Sequence, residues 1–295
     1  MERRPAAPLF LLVRGKGIEP PTLVTSRQCS TTELTARYLL KNSHALVFSL
    51  RHHPPELTAR VSQDTVFSRS IQPMERFTLD GGNASEIASK ATDVLKNGGV
   101  ILYPTDTLYG LGADALSDEA VAKVVAIKGR SGGKPMHAIV ADLEMAAEYA
   151  EISNDARLLI KEFGGSVTLI LKKKTGIDSG IAKNIETFGI RIPNHPLCIE
   201  MCRAFGKPIT ATSANVAGMR PERSVDAILA QLRESSYADV LQKTSIEDID
   251  FVIDGGELLS REPSTVVDLA HEEPVIIREG AVAAADIWEV LSSQD

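Results

Sequence analysis

Residues 100–112 read VILYPTDTLYGLG, and how that stretch is read decides the fold. Val100, Ile101, Leu102 and Tyr103 make a short continuous apolar run, as a strand buried on both faces requires. Pro104 ends the run, because proline has no N–H to give to a strand ladder. Two threonines then bracket Asp106, and Gly110 and Gly112 read as a Gly-x-Gly turn. A hydrophobic strand that runs out into hydroxyls, an acid and flexible backbone is how open α/β sheets present a small polar ligand.

The surrounding pattern supports that reading. Asn83 with Glu86 forms a capping-box-like start for a helix carrying Ile87, Ala91, Val94 and Leu95, which Gly98-Gly99 stops. Ser117 caps a second helix with Val121, Val124, Val125 and Lys128, ended by Gly129. HAIV reads as a strand, DLEMAAEYA and SNDARLLIKEF as helices, VTLILK as a long strand. GIRIP, PITAT, DFVID, STVVDL and PVIIR supply further strands, too close together for all to be linked by crossovers. The expected fold is α/β, one compact domain with a twisted, open, mixed sheet and helices. That domain is expected over residues 74–285, with 286–295 as a short C-terminal tail.

The chain has 295 residues, 43% of them apolar, and a net charge of −7. Residues 1–73 carry ten Lys and Arg against five Asp and Glu, whereas the remainder carries 22 against 34. The main domain is therefore acidic, which excludes a broad polyanion-binding surface and makes any anion site local. No apolar run approaches the ~20 residues of a membrane span. The three cysteines, Cys29, Cys198 and Cys202, form no disulfide framework, and a reducing cytoplasm suits them. Cys198 and Cys202 stand one helical turn apart and read as a core face rather than a metal site.

Residues 1–73 differ from the rest. They mix Pro-Pro, Ser/Thr clusters and scattered arginines with no sustained helical period. Three readings compete: a targeting presequence, a basic arm that holds RNA, and a disordered or non-native extension before a true start at Met74. The third is preferred, because GIEPPTLVTSRQCSTTELTAR resembles the peptide obtained when a tRNA gene is conceptually translated.

Several apolar strands run out into polar strings. PTDT at 104–107 is explained locally by an ST- or Asx-turn. In KGRSGGKP at 128–135, Lys128 and Arg130 flank a helix C-terminus, where cations also complement the dipole. They precede the glycines, so this is not a P-loop. Arg191 alternates with Ile190 and Ile192 and so points to the opposite strand face. PITATSAN at 208–215 dissolves into Thr210, Thr212, Ser213 and Asn215. Ser264 opens a strand and Arg278 closes one. Histidines 137, 195 and 271 are isolated, no Ser-His-Asp set or G-x-S-x-G elbow recommends itself, and no metal ligands are assigned. Arginine, lysine and hydroxyl groups around an anion suit phosphate positioning.

NGGVILYPTDTLYGLGADA, KGRSGGKP, FGGSVTLIL, FGIRIPNHP, PITATSANVAG and STVVD…IIREGAV together resemble the YrdC family, the threonylcarbamoyl-AMP synthases, across residues 80–282. The resemblance implies the short, single-domain form with a large concave cavity. It implies a nucleotidyltransferase that converts L-threonine, bicarbonate or CO₂, and ATP to threonylcarbamoyl-AMP and pyrophosphate. The product would pass to the transferase machinery that makes N6-threonylcarbamoyladenosine in tRNA, and binding of tRNA or double-stranded RNA is a further implied property. By motif, Thr105, Arg191, Ala211 and Ser264 would contact threonine, with the Arg191 fork on both carboxylate oxygens. Lys128, Arg130, Thr187, Ser213, Asn215 and Arg278 would hold ATP, Lys128 and Arg130 being catalytic, with Mg²⁺ riding on the phosphates. Lys128 and Arg130 are expected to be peripheral to the core. Ser131 replaces a common proline, Ile139 stands where some members carry histidine, and FGGSVT replaces WPGPLT, a change expected to alter loop stiffness. His137 receives no role.

Overall fold

The computed structural model describes residues 34–37, 47–50, 74–129, 135–238, 246–259 and 262–293. The chain divides into two units, Met1–Ser70 and Ile71–Asp295. In the first, strands β1 (Leu34–Arg37) and β2 (Val47–Leu50) pair antiparallel, with Leu34 opposite Leu50. The sequence reading has no strand there, and the rest of the supposed extension lies outside the described residues.

The second unit is α/β with two mixed sheets. Strands β3 (Glu75–Thr78), β4 (Ile101–Tyr103), β5 (Gly110–Gly112), β10 (Thr212–Ser213) and β11 (Phe251–Asp254) form one. Its order is β10-β5-β4-β11-β3, with β11 parallel to both β4 and β3. Strands β6 (His137–Ile139), β7 (Val167–Lys172), β8 (Thr187–Arg191), β9 (Ile209–Thr210), β12 (Thr265–Asp268) and β13 (Val275–Arg278) form the other. Its order is β13-β12-β7-β8-β6-β9. The single expected sheet is split because β9 pairs with β6 while β10 pairs with β5, so the chain changes sheet at Ala211. Thr210 secures that crossing: its hydroxyl accepts from Ala113 N at 2.9 Å and donates to Leu111 O at 3.0 Å.

Helices α1 (Ala84–Lys96), α2 (Asp118–Ile127), α3 (Leu143–Tyr149), α4 (Asn154–Phe163), α5 (Pro196–Phe205), α6 (Val225–Ala238) and α7 (Ala284–Ser292) cover the sheets. VILY is buried on both faces, as expected. Ile101 and Tyr103 join a cluster with Ile87 and Leu95 of α1 and Leu197 and Met201 of α5. Val100 and Leu102 face the other way, into a cluster with Leu159 of α4, Ile228 of α6 and Ile287 of α7. Each such aliphatic side chain contributes about 1.5–3 kcal/mol when fully removed from water.

Three local expectations need correction. The Gly-x-Gly segment is strand β5 rather than a turn, with Leu111 opposite Leu102. Its glycines serve close packing, since a Cβ on Gly112 would lie 2.8 Å from Tyr103 and 2.9 Å from Ile101. The turn is instead Thr105–Leu108, closed by Thr105 N donating to Leu108 O at 3.2 Å. Asn83 is the N-cap of α1 but makes no side-chain cap bond. Its amide is spent on Asp80 N and Thr78 O, closing the loop before the helix. Finally, residues 286–292 belong to a helix rather than a tail: α7 packs on α4 with Ile287 fully buried, so ordered packing continues past 285. Ser117 does cap α2, accepting from Ala120 N at 3.2 Å.

Candidate active site

The register of the six-stranded sheet puts Thr187, Arg191 and Arg278 on one face. Thr187, Gly189 and Arg191 alternate along β8, and Ile190 between them enters the core. His137 lies opposite Gly189 on β6, and Ala211, just past Thr210, falls beside His137, whose carbonyl accepts from its N–H at 2.8 Å. Across β7, Thr168 shares the face with Arg191, and its hydroxyl meets Ser264 Oγ at 2.7 Å. Arg278 stands opposite Val266, two residues beyond Ser264, and donates through Nη2 to Ser264 O at 2.7 Å.

Arg191 is the centre of this group and is only 5% exposed. Its Nε donates to Gly165 O at 2.7 Å, and Nη2 donates to Asp106 Oδ1 at 2.6 Å and Thr107 Oγ1 at 2.9 Å. Nη1 stands 3.5 Å from Thr105 Oγ1. Thr105 itself serves the turn, donating to Leu108 O at 2.7 Å and accepting from Thr107 N at 3.1 Å. The local ST-turn reading of PTDT therefore holds, and the same turn also meets Arg191. Register puts Arg278 on the same sheet face as Arg191, and burial, then the charge of Arg191, weaken the hold of Arg278 on its proton.

A second group stands where the chain leaves Ala211. Lys128 caps the C-terminus of α2, and its ammonium donates to Ser213 O, to Asn215 O at 3.0 Å and to Asn215 Oδ1 at 3.3 Å. Ser213 Oγ bonds Asn215 Oδ1 at 2.5 Å, and Asn215 Nδ2 donates to Val216 O and Met219 O. Lys128 is thus buried rather than peripheral, and braces the Ser213–Asn215 loop. Arg130 lies outside the described residues. Thr187 sits at the far end of β8, about 13 Å along the strand from Arg191 at the usual rise.

Sequence reasoning assigned no role to Asp106, Thr107, Gly165 or Thr168. Gly165 is not a matter of loop stiffness: a Cβ there would collide with Asp106 Oδ2 and lie 2.6 Å from Asn194 N. The signal was the carboxylate between two threonines, opposite a buried arginine that needs a counter-ion. Next to this pair, His195 is held below its usual pKa by burial, opposed by Asp106 and reinforced by Arg191. Its Nδ1 is buried with no hydrogen-bond partner among the described residues.

The family model for Sua5, YciO and YrdC proteins, described as "Telomere recombination", matches residues 93–280. The chain belongs to this family. Among Sua5/YciO/YrdC relatives, a Methanocaldococcus jannaschii protein is 36% identical over 187 residues, 63% of this chain and 82% of its own. The Bacillus subtilis threonylcarbamoyl-AMP synthase is 32% identical over 212 residues, 71% of this chain and 57% of its own. The crystal structure of Pyrococcus abyssi Sua5 complexed with L-threonine superposes with a TM-score of 0.62 at 28% identity, over 75% of this chain and 61% of that one. The chain thus spans a little over half the length of some relatives that it matches.

Proposed function

We propose that this protein is an L-threonylcarbamoyladenylate synthase, joining L-threonine, bicarbonate or CO₂, and ATP into threonylcarbamoyl-AMP with release of pyrophosphate. The observation that carries the reading is the buried guanidinium of Arg191, ringed by the hydroxyls of Thr105 and Thr107 at the end of a core strand. A relative of the same fold is solved with L-threonine bound. Arg191 and Ser264 take the amino acid, with Thr105 and Ala211 lining its place. Arg278, Thr187, Ser213 and Asn215 serve ATP, together with Arg130. Lys128 acts on ATP through the loop that it braces. A concave cavity over this sheet face would hold both reactants.

The threonine amine and CO₂ give a carbamate. That carbamate and ATP are both anionic, so the cations have to draw them together before the carbamate oxygen can attack the α-phosphorus and pyrophosphate leaves. A water-excluding site also protects the carbamate, which decomposes in water. Mg²⁺ would ride on the triphosphate. The product then passes to a transferase acting on tRNA. The acidic balance after residue 73 confines any RNA contact to a local patch. No helix among the described residues is long and apolar enough to cross a membrane, and a cytoplasmic site of action fits the tRNA role.

The test is to incubate the protein with ATP, threonine and bicarbonate, omitting each in turn, and to assay pyrophosphate and the adenylate. Product only from the complete mixture is expected. Pyrophosphate release that ignores threonine would overturn the reading.

A further inference from the structure

We propose that Asp106 is a positioning residue that clamps Arg191, so that the guanidinium meets a ligand carboxylate with one arm only. The inference deepens the threonine site proposed above and rests on it for the identity of the ligand.

An arginine side chain has five N–H donors. In Arg191 the Nε–H goes to Gly165 O at 2.7 Å, and the two Nη2 protons go to Asp106 Oδ1 at 2.6 Å and Thr107 Oγ1 at 2.9 Å. Nη1 keeps its capacity, because the contact with Thr105 Oγ1 is 3.5 Å, the long limit of a hydrogen bond. A carboxylate seeking two parallel bonds needs either the Nη1–Nη2 edge or the Nη2–Nε edge of the fork. Both edges include Nη2, which Asp106 holds. The bidentate grip expected from the sequence is therefore not the one the geometry offers.

Displacing Asp106 to free the fork is costly. Its side chain is 11% exposed, and its other oxygen accepts from Asn194 N at 3.1 Å. One carboxylate thus joins the 104–107 turn, the end of β8 and the loop leading to α5. Gly165 admits that carboxylate, since a Cβ there would occupy the place of Asp106 Oδ2. The pair also answers an electrostatic need. Arg278 and Arg191 share one sheet face, and without a bound anion a buried Arg191 would have no counter-ion. Asp106 supplies one while leaving Nη1 for the ligand.

The test begins with wild-type protein without ligand, by NMR of arginine side chains, with the Arg191 signals assigned by their loss in Arg191→Lys. Separate Nη signals from arrested rotation, and slow exchange of the Nε–H, are expected; averaged signals would overturn the clamp. Asp106→Asn and Gly165→Ala, each checked for a native melt, should release that rotation. Each should also raise the calorimetric Kd for L-threonine by about tenfold or more, the range of one charge-assisted bond, with ATP affinity unchanged. Unchanged or tightened threonine binding in both would overturn the proposal. If the wild type binds no threonine, the ligand assignment fails, while the ligand-free signals still decide the clamp.

Discussion

Lys128 is a buried ammonium that braces the Ser213–Asn215 loop. It is 4% exposed, and its donors go to Ser213 O, Asn215 O and Asn215 Oδ1. Lys128→Ala should abolish adenylate formation and also cost about 1–3 kcal/mol in a urea melt, because the buried Asn215 O and Oδ1 lose the ammonium as donor. An unchanged midpoint would refute the bracing role. His195 carries a pH dependence at the same scale. Its folded pKa lies below the unfolded value near 6.5, so the unfolded chain binds the proton first. Stability is therefore full above pH 6.5 and falls as the pH drops through 6.5 toward the depressed folded value. His195→Gln should flatten that slope in melts between pH 7.5 and 5; an identical slope would show that another group is responsible. Residue types announced themselves here: an arginine between two isoleucines, hydroxyls after a strand. Their partners did not, because Lys128 meets Ser213 across 85 positions, a separation over which no local pattern is visible.

At the scale of elements, strands were legible where one face or both had to be buried. VILY, VTLILK and GIRIP all became strands, since continuous or alternating apolar residues leave no other way to hide both side chains and backbone. GLG was misread because glycine marks turns and close packing alike, and only Tyr103 on the neighbouring strand tells which. Gly112→Ala should push β5 from β4 at a cost of about 1–3 kcal/mol, read as a lower melting midpoint. Helix α7 was missed as an element of the core because nine residues near the chain end carry a weak signal. Its burial depends on α4, far away in sequence. A chain cut before Ala284 loses Ile287 and exposes the core residues it covers, and should melt earlier than the intact protein; equal melts would return α7 to the status of a tail.

For the whole molecule, Ile71–Asp295 forms a unit of its own, with the matched family region inside it. A protein beginning at Met74 should therefore keep the melting midpoint and the threonine-dependent pyrophosphate release of the full chain. Loss of either would give residues 1–73 a role that their composition does not suggest. Saturating threonine should raise the midpoint of both forms, since a ligand that binds only the folded state stabilises it by mass action.

What the amino-acid order determined alone was the kind of fold, the run of strands and most helices, and the residue types at the polar strand ends. Those follow from short-range rules: periodic burial, proline and glycine stereochemistry, and strand ends that must turn polar. Only the tertiary structure decided that the sheet divides at Ala211, that Lys128 faces carbonyls, and that Asp106 holds Arg191 against Gly165. Each of these is a contact between segments remote in sequence. It is set by which surfaces meet when the core closes, and no stretch of chain carries that information by itself.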